Sequence, residues 1–86
     1  MNLRLQNVRV DTGSKDEDGV LVFADGRLVA ILVRLSDAHA DWAGRWFLEH
    51  AFSRLDGTAH PMFDDIQAAQ DWLAEHLHRE RRRPAT

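Results

Sequence analysis

The five histidines have the widest chemical reach of any residues in this chain, because imidazole serves as general base, proton shuttle and metal ligand near neutral pH. His76 and His78 lie two apart in a stretch of helical period, which turns their side chains about 200° from each other. A helical zinc pair sits four apart on one face, so these two share no ion. His39, Asp41, His50 and His60 fall on or beside expected loops and converge only if tertiary structure gathers them. The sequence assigns no metal ligand on this basis. Oxygen ligands suggest a second chemistry, since taking Ser14 as the first position puts Asp16, Asp18, Gly19 and Asp25 at the offsets of a calcium loop. The comparison then fails. The first ligand should be Asp, the last a bidentate Glu and the flanks helices, whereas this run enters a strand. A solvated acidic turn accounts for it.

Nucleophilic and acid–base catalysis find no better support. The absence of cysteine excludes a thiolate nucleophile, a thiolate zinc site and a disulfide framework together. Glu49 and His50 are neighbours on an expected strand and so face opposite sides. Ser36 and Ser53 have no activating partner in sequence, and no Gly-rich phosphate cradle, nucleophile elbow or carboxylate pair stands out. A chain of 86 residues keeps few rigid positions for a site once its core is built. The reading is non-enzymatic, with no catalytic residue and no cofactor.

Arg79-Glu80-Arg81-Arg82-Arg83 is the one run with nucleic-acid character, and Arg81, Arg82 and Arg83 are the residues that would hold phosphate. Charge elsewhere argues against it. Residues 79–86 hold four of the 11 basic and one of the 14 acidic residues, leaving 7 against 13 in the rest, a net of -6 within a formal total of -3. A dedicated duplex reader presents a broad basic face. The expected strands also lack the exposed aromatic pairs and surrounding Lys/Arg of RNA-binding sheets, and Trp46 is better explained as core. A solvated helix end matched to its dipole is the simpler account. Accessory nucleic-acid binding through this tail stands as the second functional reading.

The elements that position these residues are organised around Gly19 to Leu35. Two β-branched, apolar runs, Val20 to Ala24 and Arg27 to Leu35, flank Asp25-Gly26, a dipeptide suited to a two-residue turn because both positions need positive φ. An unbroken register would set Phe23 opposite Leu28, Val22 opposite Val29, Leu21 opposite Ala30 and Val20 opposite Ile31. One face then carries Leu21, Phe23, Leu28, Ala30 and Leu32, and the other Val20, Val22, Val29, Ile31, Val33 and Leu35. A sheet with one wet face alternates apolar and polar residues; this ribbon does not, so both sides need cover.

Before the ribbon, Leu3 to Val10 alternates as a strand, with a parity change between Leu5 and Val8 that a bulge near Gln6-Asn7 would reconcile. Asp11 to Gly19 is an exposed, turn-rich loop. After the ribbon, Ser36 to Gly44 is a loop with room for one helical turn capped by Ser36. Arg45 to Phe52 reads as a strand with Trp46, Leu48, His50 and Phe52 on one face. A helix from Asp37 to Leu55 is the competing reading, but Gly44 would cost it about 1 kcal/mol and Trp-Phe suits a pleated surface. Ser53 to Met62 is a loop. A helix follows from about Asp65 to Arg81, with Asp64 as N-cap, Gln67 completing a capping box, and Ile66, Ala69, Leu73 and Leu77 as its apolar stripe.

The expected architecture is α+β: an antiparallel β-meander of four strands, and at least three, with one C-terminal helix packed on one face (β-β-β-β-α). Residues 1–80 form a single domain and 81–86 a basic, disordered tail. A chain this short hides roughly 60 to 65% of its unfolded surface, so the core is small. No apolar run approaches the ~18 residues of a membrane span, and the N-terminus lacks the apolar core of a signal peptide, which points to a cytoplasmic protein with no membrane partner.

The segments Ala-Asp-Gly-Arg-Leu-Val-Ala-Ile-Leu-Val-Arg-Leu, Gly-Arg-Trp-Phe-Leu-Glu and Phe-Asp-Asp-Ile-Gln-Ala-Ala-Gln-Asp-Trp-Leu resemble those of small uncharacterised bacterial proteins built as a β-meander followed by a helix. The resemblance spans most of residues 20–77. It implies the fold and a strand at Arg45 to Phe52, and it implies no activity.

One helix covers one side of a ribbon that needs two covers. The leading expectation is therefore a non-catalytic homodimeric interaction module, with an unidentified protein as a second candidate partner. Its surface is the helix-free sheet face or an edge strand, and its contacts are Val29, Ile31, Val33 and Trp42. The alternative is that the N-terminal strand and the Ser36 to Gly44 loop, with Trp42, fold over that face within one chain.

Overall fold

Asp25 and Gly26 both take positive φ, 52° and 83°, and so make the turn on which the ribbon depends. The computed structural model describes residues 2–52 and 61–82. In it the ribbon is β2 (Asp18–Ala24) and β3 (Arg27–Arg34), preceded by β1 (Leu3–Arg9) and followed by β4 (Trp46–Ala51) and a two-residue β5 (Met62–Phe63). The five strands form one antiparallel sheet in sequence order, a meander, and α1 (Ile66–Arg82) closes the described chain. The expected four-strand meander is thus extended by one short edge strand. Asp37–Trp42 forms a 3-10 segment broken at Ala40, where φ is 50°.

Two bulges decide which residues face which way. Between Val22/Ala30 and Phe23/Leu28 the register slips, leaving Val29 as the extra residue of β3. Phe23 meets Leu28 as the turn requires, but Val22 then meets Ala30, Leu21 meets Ile31 and Val20 meets Leu32. This corrects the unbroken register and exchanges the faces of half of β3. A second slip makes Glu49 the extra residue of β4, so that Leu32 pairs with Leu48 and Ile31 with His50. Trp46 and Leu48 consequently share a face with Ala51, while His50 and Phe52 turn to the other side, where the two rings stand 4.5 Å apart. No bulge is needed in β1: its pairing runs unbroken from Leu3/Ala24 to Arg9/Asp18. The parity change has another cause. Leu3 and Leu5 pack against the helix-side core, whereas Val8 lies on the opposite face beside Gly19. Gly19 makes room there, since a Cβ on it would lie 2.5 Å from Val10 Cγ2 and 3.2 Å from the Leu32 carbonyl oxygen.

The core lies between sheet and helix. Val20, Val22, Ala24, Ala30, Leu32, Leu48, Ala51 and Phe63 meet Ala69, Leu73 and Leu77 of α1, the stripe expected from the sequence, with Ile66 and Trp72 at its margin. Trp72 stands edge-on to Phe63 at 5.7 Å and stacks on His76 at 3.8 Å. The N-cap falls one residue later than expected: Asp65 Oδ1 accepts from the Ala68 amide at 2.8 Å, so Gln67 completes no capping box and instead donates to Asp71. Asp64 is left to pair with Arg45 at 3.2 Å. Replacing Asp65 with Ala is expected to cost about 1 kcal/mol, read as a lowered urea midpoint, while Asp64→Ala should cost less than half as much.

Candidate interaction surface

The helix-free face divides into two halves. At one end the chain roofs its own sheet. Val10 donates to the Glu17 carbonyl at 2.7 Å, and Arg9 pairs with Glu17 and Asp18, turning the segment between β1 and β2 back over β3. Asp16, 9% exposed, accepts the Ser36 amide on Oδ1 at 2.8 Å and so ties this segment to the start of the 3-10 turn. The segment is pinned from within by Asp16 N–H donating to Ser14 Oγ and by Thr12 Oγ1 donating to the Asp16 carbonyl. Across the sheet, the Leu35 amide donates to the Arg45 carbonyl at 2.8 Å, and Gly44, at φ 82°, donates to the Leu35 carbonyl at 2.8 Å. Val33 beneath this roof is 1% exposed.

At the other end, nearer the Asp25-Gly26 turn, Leu21, Phe23, Leu28 and Ile31 are only half-buried, and Phe52 beside them is 36% exposed. Arg4 lies over the Phe23 ring at 4.8 Å, and His50 borders Ile31. Among the described residues, no other element crosses this half. The patch is apolar at its centre with a cation at its rim.

The residues singled out from the sequence scatter between these places. Ile31 is on the open half. Trp42, 49% exposed, stands at the edge of the roof with Arg45 over its ring at 5.0 Å. Val33 is covered by the roof, and Val29 packs against the helix-side core as the bulge residue. Leu21, Phe23, Leu28 and Phe52 take the places that the unbroken register had given to others. Ser36 caps nothing with its side chain: it contributes its amide to Asp16, and its hydroxyl has no hydrogen-bond partner.

The acidic segment is a latch in which Asp16 points inward, not the open turn expected. His76 Nδ1–H donates to the Trp72 carbonyl, 2.9 Å away, and His78 is exposed; His60 and the side chain of His39 lie outside the described residues. Among the described residues, no three His, Asp or Glu side chains are gathered where they could hold a metal ion. Glu49 does not face away from His50: the bulge places it beside a groove on the helix-free side, while His50 faces the same side opposite Ile31. Arg81 and Arg82 occupy the last turn of α1, and their side chains, with all of Arg83, lie outside the described residues. No helix is long and apolar enough to cross a membrane among the described residues. No family model, no curated protein and no solved structure matches this chain, so any role has to be argued from the placement of its own side chains.

Proposed function

We propose that this chain is a small, non-catalytic interaction module that pairs with a second copy of itself through the open half of its helix-free face. The observation that carries the reading is the contrast between Val33, roofed within the chain, and the half-buried Leu21, Phe23, Leu28 and Ile31 with exposed Phe52 alongside. A contiguous apolar patch of this kind is the usual mark of an interaction surface, and a twofold axis lets one patch serve as its own complement. Arg4 at the rim would remain in water, where a cation near an aromatic face loses little.

The size of the patch sets the strength of the pairing. It spans four strands at about 4.8 Å spacing, and that footprint is well below the ~800 Å² per partner of a stable interface. The dimer should therefore be concentration-dependent, forming in the upper micromolar range. Sedimentation equilibrium from about 5 to 500 µM tests this. The wild type should shift toward twice its 9.9 kDa mass, and Phe52→Asp should stay at 9.9 kDa with an unchanged far-UV circular dichroism spectrum. A wild type that remains monomeric throughout removes the reading.

A further inference from the structure

Two of the three large apolar side chains exposed among the described residues, Trp42 and Met62, line one groove, and the third, Phe52, belongs to the open patch described above. The groove, about 410 Å³, runs along the roofed half between the β1–β2 segment and the sheet edge at β4 and β5. Phe47, Leu35 and Met62 form its apolar floor and Trp42 one wall, while Thr12, Ser14 and Asp16 line the roof side. Its volume falls in the range of grooves that hold a side chain or small ligand. Glu49 reaches it because the β4 bulge re-aims that position, and bulges commonly do so beside functional surfaces.

Charge says what the groove would accept. Asp16 is already committed to Ser36. Glu49 is exposed and has no ion pair among the described residues. The two segments that form the roof, 11–18 and 37–42, carry six acidic residues against one Lys; Arg9 offsets Glu17 and Asp18, which leaves Asp11, Asp37 and Asp41 beside Glu49, with Arg45 over the Trp42 ring as the cation on that wall. An apolar floor under a negative rim disfavours an acidic or phosphate-bearing partner and favours a cation on an apolar stem.

From this we infer that the groove docks a basic, extended peptide segment of another protein, with an aliphatic side chain seated on Met62 and Phe47 against Trp42 and a neighbouring Lys or Arg paired with Glu49. Aromatic and methionine anchors inside a charged rim are the usual anatomy of such contacts. The site is separate from the self-association patch, so each stands or falls by its own test.

The test titrates ¹⁵N-labelled full-length protein with three ten-residue peptides, one alternating Lys and Leu, one Lys and Gly, and one Glu and Leu. The Lys-Leu peptide should shift the Trp42 indole and the Glu49, Met62 and Thr12 amides at submillimolar concentration. The Lys-Gly peptide should bind at least five-fold more weakly and the Glu-Leu peptide not at all. Glu49→Gln should weaken the Lys-Leu peptide about two- to five-fold and Trp42→Ala about ten-fold, with Phe52→Asp binding as the wild type does. Equal shifts from the Glu-Leu peptide, or shifts confined to Leu21, Phe23 and Ile31, would overturn the assignment. So would groove shifts on dilution of the protein alone, which would seat a second copy there.

Discussion

Replacing Leu32 with Ala is expected to destabilise the fold by about 2–5 kcal/mol, the range for emptying a buried leucine site that cannot collapse. Leu32 is fully buried at the centre of the sheet, paired with Val20 on one side and Leu48 on the other, and belongs to the cluster that meets α1. A chain of 86 residues has roughly 4–13 kcal/mol to lose, so one methyl-rich side chain carries a large share of it. The midpoint of thermal unfolding should fall by about 10–40 °C. Ile31, its neighbour, faces the open half and is only half-buried, so Ile31→Ala should cost about 1 kcal/mol. The pair therefore tests the bulge as well as the packing. Equal losses at Leu32 and Ile31 would mean that the two faces are not divided as the register requires.

The same pair shows where the sequence was readable and where it was not. The Asp25-Gly26 turn and the stripe Ile66, Ala69, Leu73 and Leu77 each declare themselves through local chemistry, positive φ in one case and period in the other. The strand at Trp46–Ala51 followed from the cost of Gly44 in a helix and the preference of Trp-Phe for a pleat. What stayed hidden were the bulges at Val29 and Glu49. Neither is Gly; Val29 lies inside a run apolar on both faces, where a one-residue slip leaves no unfavourable polar side chain to betray it, and Glu49 reads as the outward residue of a plain alternating strand. The candidate surface was lost by the same slip, which moved Val29 to the helix side and brought Leu21, Phe23 and Leu28 beside Ile31. In β1 the misleading cue ran the other way. A parity change that reads as a bulge is instead one regular strand feeding two layers, Leu3 and Leu5 to the core and Val8 to the far face. Asp16 was invisible for a further reason: nothing in Ser-Lys-Asp-Glu-Asp-Gly separates the one carboxylate that turns inward from its neighbours that do not.

That carboxylate is the basis of the second large effect. Asp16→Ala is expected to cost about 2–3 kcal/mol, because it removes an ionised acceptor and leaves the Ser36 amide without its partner, and hydrogen bonds to charged groups are worth more than neutral ones. The loss should be local before it is global. The roof is held to the sheet by that bond together with the Val10 amide bond to Glu17 and the Arg9 pair, so freeing one end uncovers Val33 while the helix-side core keeps its contacts. Amide exchange at Ser36 and at residues 12–17 should accelerate by at least ten-fold, and limited proteolysis should cut first within 11–17. Protection in α1 should change little. Asp16→Asn separates acceptor from charge: its side-chain oxygen can still take the Ser36 amide, so it should recover more than half of the stability lost in Asp16→Ala. If Asn behaves as Ala does, the charge itself matters more than the bond to Ser36. If exchange quickens equally in α1, the roof and the core unfold together and the latch is not a separate unit.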